Sequence, residues 1–237
     1  MLEMTDARQG RAAQILAAAA ELLLRHGYAR ITMEDVAQHA GVGTGTLYLH
    51  WRTKEALFET VLLGELLAIW HALDQHLAAD SSEALLSRLL GRILHLVNER
   101  PLAKALFTRD SSLLGKLAQR RLLQNTQTLA RATDLLRQLR ALGLVRTDVA
   151  VTVQAHAFSA VWAGFSLIDP LLTGDDRVAL DVQIDALAYV VRQTFEPTIL
   201  PDATTLHTLV VPTLRSLLDE AQAAVKQHIR ERMLPQR

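Results

Sequence analysis

Apolar positions recur along this chain at helical spacing almost from end to end, and alternating strand-like runs are absent. Ala12, Ile15, Leu16, Ala19, Leu22 and Leu23 share one face of a helix predicted over 8–26, with Arg11, Gln14, Glu21 and Arg25 opposite. Gly27 follows as a left-handed stop. Thr32-Met-Glu-Asp35 resembles a capping box and predicts a second helix ending near Ala40, where Gly41 breaks it. A short third helix is predicted over 44–49, and Thr53 caps a fourth reaching about Ala79. Asp80-Ser-Ser-Glu83 opens a helix to about Arg100, and Pro101 suits the first position of a short helix to about Arg109. Further helices are predicted over 113–142, from Thr147 or Asp148 to Ile168, over 177–195 and over 212–233, the last preceded by a helical turn at 203–211. The expected fold class is all-α: a three-helix N-terminal domain over 1–58, then a larger helical domain over 59–237 with an extra C-terminal helix from about 203.

Composition narrows the chemistry. Leu and Ala dominate, half of the residues are hydrophobic and 21% are charged, which excludes a mainly disordered chain. There is no Cys, hence no disulfide framework and no thiolate nucleophile or metal ligand. Residues 12–24 have the apolar look of a signal core, but Gln14 and Glu21 interrupt them. Residues 149–168 hold no Asp, Glu, Lys or Arg, long enough to span a bilayer. Thr152, Gln154, His156, Ser159 and Ser166 within them favour a helix buried on most sides of a soluble, cytoplasmic protein, without a membrane partner. No nucleophile elbow, P-loop or metalloprotease motif occurs, and His71 and His76, five apart, do not align on a helix. No catalytic residue, cofactor or metal is expected.

The stretch from Ile31 to Leu57, ITMEDVAQHAGVGTGTLYLHWRTKEAL, has the layout of a helix-turn-helix. Ala37 is small where two helices must cross, and Val36, Val42 and Leu47 supply a shared core. The second helix of such a unit leads into the DNA major groove with its N-terminal residues, here Gly43, Thr44, Gly45 and Thr46. Tyr48 and His50 carry donors suited to phosphate oxygens. Lys54, a cation in the first turn of a helix, opposes the helix dipole, a situation that a bound phosphate reverses.

These residues resemble the DNA-binding signature of the TetR (tetracycline-repressor-like) family of bacterial regulators. Thr32, Val36, Ala37, Ala40, Gly41, Val42, Gly45, Leu47, Tyr48, His50, Trp51, Lys54 and Leu57 all stand at signature positions. The resemblance covers about residues 8–58. It implies backbone contacts from Thr32, Tyr48, His50 and Lys54, and base-edge or close backbone contacts from Gly43, Thr44, Gly45 and Thr46. Two positions depart from the pattern: Gly43 replaces the usual Ser or Thr, and Leu49 replaces a frequent aromatic, so a contact to a thymine methyl or sugar takes the place of stacking.

Charge bears on this reading. The chain balances 25 cations with 25 anions, and residues 1–60 hold six cations against seven anions. A basic surface is therefore not available, and a shallow salt dependence of DNA binding is expected. Arg8 and Arg11 are open to two readings, an arm reaching DNA or a solvated first turn.

The family also implies a homodimer built on its late helices. Ala157, Ala160 and Gly164 form a small-residue stripe, with Ile184, Leu187 and Val191 on the next helix as its counterpart. Trp70, His95, Phe107, His156, Trp162 and Phe165, together with Phe158 and Tyr189, are candidate lining for a small-molecule pocket, although each reads more readily as core. The tail stripe of Leu214, Leu217, Leu218, Ala221, Val225 and Ile229 needs cover from its own domain or a partner subunit. The expected function is a homodimeric repressor, released from a palindromic operator in double-stranded DNA by an apolar or amphipathic effector. The alternative is a helical DNA-binding or assembly protein of the same fold without small-molecule regulation.

Overall fold

The computed structural model describes residues 2–119, 129–168, 172 and 174–233. It is helical, with no strand among the described residues. The elements are α1 (Leu2–His26), a 3₁₀ turn (Tyr28–Arg30), α2 (Met33–His39), α3 (Thr44–Tyr48), α4 (Lys54–Ala79), a 3₁₀ turn (Ser81–Ala84), α5 (Leu86–Asn98), α6 (Pro101–Thr108), α7 (Ser111–Leu114), a 3₁₀ stretch (Gly115–Gln119), α8 (Leu129–Ala141), α9 (Val151–Leu167), α10 (Leu180–Thr194), α11 (Ala203–Thr205) and α12 (Val211–Arg232).

The chain forms two compact units. The first takes residues 1–68, 100–122 and 221–237; the second takes 69–99 and 123–220. In the first, α1 packs on α2, α6 and α7, and α2 packs on α3. Ile15, Ala19, Leu23, Val36, Leu47, Trp51, Leu57, Phe58 and Leu62 are its fully buried side chains of largest consequence. By length and composition α4 could cross a bilayer. Its apolar positions are nonetheless those of a core helix, since Leu57, Phe58, Leu62, Leu66, Ile69, Leu73 and Leu77 are all buried.

The second unit is centred on α5, which packs along α10, while α8 packs along α9. Leu86, Leu90, Leu94, Leu136, Leu139, Leu187, Val191 and Phe195 lie in one cluster. Gly91 lets α10 approach: a methyl placed there would meet the Ile184 γ2 carbon at 3.1 Å. Leu214 is buried in this cluster, with Leu217 and Leu218 packed against it, and Val225 is buried in the first unit. The tail stripe is thus covered at these positions by its own chain.

Several predicted helices are divided. The one expected over 113–142 stops at Leu114, because Gly115 turns left-handed (φ +52°). Asp110 caps α7 by accepting from the Ser112 and Leu113 amides at 2.9 and 3.3 Å. The helix expected from Asp80 to Arg100 begins instead as a 3₁₀ turn, since the Asp80 carboxylate bonds the Ser82 amide at 2.9 Å and Leu85 is extended. α5 then starts afresh, with its Ser87 amide donating to Glu196 Oε1 at 2.7 Å. Before Pro212 the opposite happens. Residues 203–232 run on as helix, widened to a π turn over Leu206–Val210. Proline removes one amide and crowds the carbonyl four residues earlier, and a wider turn accommodates both. The uncharged helix departs furthest from expectation: in α9 only Gln154 and Ala155 are fully buried.

Candidate nucleic-acid interface

The site begins at Thr32. Its hydroxyl accepts the Asp35 amide at 3.1 Å, while Asp35 Oδ2 accepts the Thr32 amide and hydroxyl, each at 2.7 Å. This reciprocal cap satisfies two donors that a helix end otherwise leaves bare, and is worth about 1 kcal/mol. It also holds the Asp35 carboxyl below its ordinary pKa, chiefly through the Thr32 hydroxyl. At the far end of α2, Gly41 adopts φ +64° and the Val42 amide returns to the Ala37 carbonyl at 3.0 Å. The Gln14 amide group from α1 donates to the Ala40 carbonyl at 2.8 Å, satisfying one carbonyl at the end of α2.

Gly43 caps α3 with backbone alone, its carbonyl accepting from the Thr46 amide at 2.9 Å. Leu47 is fully buried and orients the short helix. Gly45, Tyr48 and Leu49 are exposed and Thr44 and Thr46 half-buried, so α3 offers one accessible edge. Tyr48 is 43% and Leu49 62% exposed, large side chains standing free of the core. His50, in contrast, is withdrawn from the surface. It is only 5% exposed and its ring lies 5.4 Å from that of Trp51. Trp51 anchors this end, its indole donating to Thr60 Oγ1 at 3.0 Å.

Lys54 is neither solvated nor bare. Its ammonium donates to the Tyr28 carbonyl at 2.5 Å and sits 4.1 Å from the centre of the Tyr28 ring. Burial, the largest cause, lowers its pKa from the ordinary lysine value. Thr53 caps α4 by accepting the Ala56 amide at 3.1 Å. Gln14, Tyr28 and Trp51 are supports that the sequence marks weakly: Gln14 reads as one polar residue among others on α1, and Tyr28 as a lone aromatic after a glycine. Arg11 is exposed, and the Arg8 side chain lies outside those described.

Residues 15–61 match the family model for bacterial regulatory proteins of the tetR family. Over these residues the chain is similar to the TetR family. Its N-terminal part is 36% identical over 60 residues to the HTH-type transcriptional repressor KstR2 of Rhodococcus jostii, covering 25% of this chain and 29% of that one. It is 29% identical over 90 residues to an uncharacterized HTH-type transcriptional regulator of Mycobacterium bovis, covering 38% of this chain and 47% of that one. The chain thus spans about half the length, or less, of these curated relatives. The fold is shared more widely. The transcriptional regulator FadR from Bacillus subtilis, solved in complex with stearoyl-CoA, superposes with a TM-score of 0.55 at 15% identity, over 76% of this chain and 96% of its own.

The remaining expected sites fall out unevenly. Of the pocket candidates, Trp70, Trp162 and Phe165 are half-buried in the second unit, and Phe107 is half-buried in the first. His95 is half-buried with its ring 3.1 Å from the Glu99 carboxylate. His156, expected amid apolar residues, is exposed instead. Phe158, Trp162 and Phe165 lie against the second unit's core. A groove of about 740 Å³ in that unit, bordered by Arg140, Val145, Arg192, Pro197 and Ile199, contains none of the candidates. Its arginines are partly engaged already: Arg140 bonds Gln154 Oε1 at 3.0 Å and Arg146 pairs with Asp148.

The expected dimer stripes need correction. Leu187 and Val191 are fully buried in the core, since they are the residues of α10 that meet α5. Ile184 fills the space over Gly91. Ala160 and Gly164 on α9 are exposed and Ala157 is half-buried. The accessible apolar positions include Val153, Ala160, Gly164 and Leu167 on α9, with Val182 and Tyr189 on α10.

Proposed function

We propose that this chain is a homodimeric transcriptional regulator that binds a palindromic operator through α3 and releases it when a small apolar or amphipathic ligand binds. The observation that carries the reading is the α3 edge. A capped α2 and a glycine turn present Thr44, Gly45, Thr46, Tyr48 and Leu49 outward, two of them large residues with no core role. Such an edge suits insertion into a major groove, with Tyr48 and Lys54 directed to phosphates and Leu49 to a thymine methyl. The KstR2 relative is a transcriptional repressor, which supports repression.

The second copy is expected on the face of α9 and α10. Val153, Ala160, Gly164 and Leu167 recur at seven- and four- or three-residue steps, and Val182 and Tyr189 repeat that spacing on α10. Covering this face removes exposed apolar area that a lone chain leaves in water. A lining of Trp, Phe and Leu suits an apolar effector, and FadR from Bacillus subtilis, which shares the fold, is in complex with stearoyl-CoA, which supports that reading. The effector acts by favouring a conformation in which two reading heads no longer match the operator spacing. Selection of bound fragments from genomic DNA with the purified protein should return an inverted repeat. Tyr48→Ala with Lys54→Ala should abolish the gel shift on that fragment; a shift kept in full overturns the assignment of α3.

A further inference from the structure

Residues 110–119 lie far in sequence from α1 and the Tyr28–Arg30 turn that precede the helix-turn-helix, yet pack on both within the first unit. Two glycines make the junction possible. Gly27 has φ +71°, and a methyl there would meet the Ser112 carbonyl at 3.1 Å. Gly115 has φ +52°, and a methyl there would lie 3.4 Å from Tyr28 Cδ1. Tyr28 is buried, its ring edge-on to Phe58 at 5.5 Å. Two ammonium groups attend the same ring, Lys54 at 4.1 Å and Lys116 at 5.9 Å.

The anion of this cluster is Glu55, the sequence neighbour of Lys54. Lys116 forms an ion pair with its carboxylate. Lys116 is the largest cause that draws the Glu55 pKa down to about 2, and Glu55 also acts electrostatically on Lys54. Without Lys116, Lys54 is the cation left beside Glu55, and a charge so compensated attracts a phosphate less.

We propose that Lys116 is a positioning residue for the DNA-reading site: by holding Glu55 it leaves the charge of Lys54 uncompensated for a DNA phosphate. This rests on the DNA-reading role proposed above. It extends the interface to a segment outside the helix-turn-helix, with Tyr28 as the platform that both lysines share.

A mutant cycle tests it, with operator binding measured by fluorescence anisotropy at low salt and Glu55 followed by carboxyl ¹³C titration in the full chain. Lys116→Gln should weaken binding by about three- to ten-fold, since losing an exposed pair is a modest electrostatic change. In a Glu55→Gln background the same substitution should change binding less than about two-fold, because the carboxylate that Lys116 holds is then absent. Lys116→Gln should also raise the Glu55 pKa from about 2 towards the ordinary 4.5. An equal loss in both backgrounds overturns the proposal, since Lys116 would then touch DNA itself. An unmoved Glu55 titration overturns it by showing that the pair does not form in solution. If the wild-type chain binds no DNA while Glu55 still titrates low, the DNA-reading role fails, and this proposal with it.

Discussion

The turn from Thr32 to Lys54 and the helix pair α9–α10 were equally conspicuous in the sequence, yet they differ in how far local chemistry determines them. In the first, nearly every position has a partner a few residues away: Thr32 with Asp35, Val42 with Ala37, Gly43 with Thr46, Thr53 with Ala56. In the second, apolar residues stand on more than one face, and nothing local says which face is core. α10 buries Leu187 and Val191 and leaves Val182 and Tyr189 in water. Short-range hydrogen bonds thus specify a conformation, whereas an apolar stripe specifies only that something must cover it.

The comparison can be broken most forcefully in α10 and α9. Leu187→Ala should destabilise the fold by about 2–5 kcal/mol, the range for emptying a filled core site. The loss should appear in urea melts whatever the protein concentration. Gly164→Arg should leave helicity unchanged, since nothing lies within 4 Å of a Cβ there, and should convert the proposed dimer to a monomer in sedimentation. A dimer that survives Gly164→Arg means that the exposed face of α9 is not where the second copy sits. Thr32→Ala should have a smaller effect, about 1 kcal/mol, with loss of operator affinity as α2 frays. The mildest effect concerns acid. The folded Glu55 carboxyl is depressed to about 2 from 4.5, so its contribution is complete above about pH 5 and is lost as pH falls from 4.5 through 2. Glu55→Gln should flatten stability in that window and lower it slightly at pH 7, where the wild-type contribution is complete.

Legibility followed range. The α2 cap, the Gly41 turn, the Thr53 cap and Pro101 at the start of α6 were all readable, because each depends on residues within one turn. The break at Gly115 was missed. Leu113, Leu114 and Leu117 suit a helix as well as a 3₁₀ turn, and what selects the turn is Tyr28, eighty-seven residues earlier in the chain. His50 was expected outside and is inside, and His156 the reverse. A histidine's neighbours in sequence do not reveal which ring packs against it.

By itself, then, the sequence determined an all-helical chain and the local form of its helix-turn-helix, since caps, glycines and helical periodicity act between residues close along the chain. Only the tertiary structure decided that Lys54 rests on Tyr28, that Lys116 holds Glu55, and that α10 turns Leu187 inward. Those outcomes depend on which distant side chains share a buried space or a charge, and burial and charge act through space instead of along the backbone.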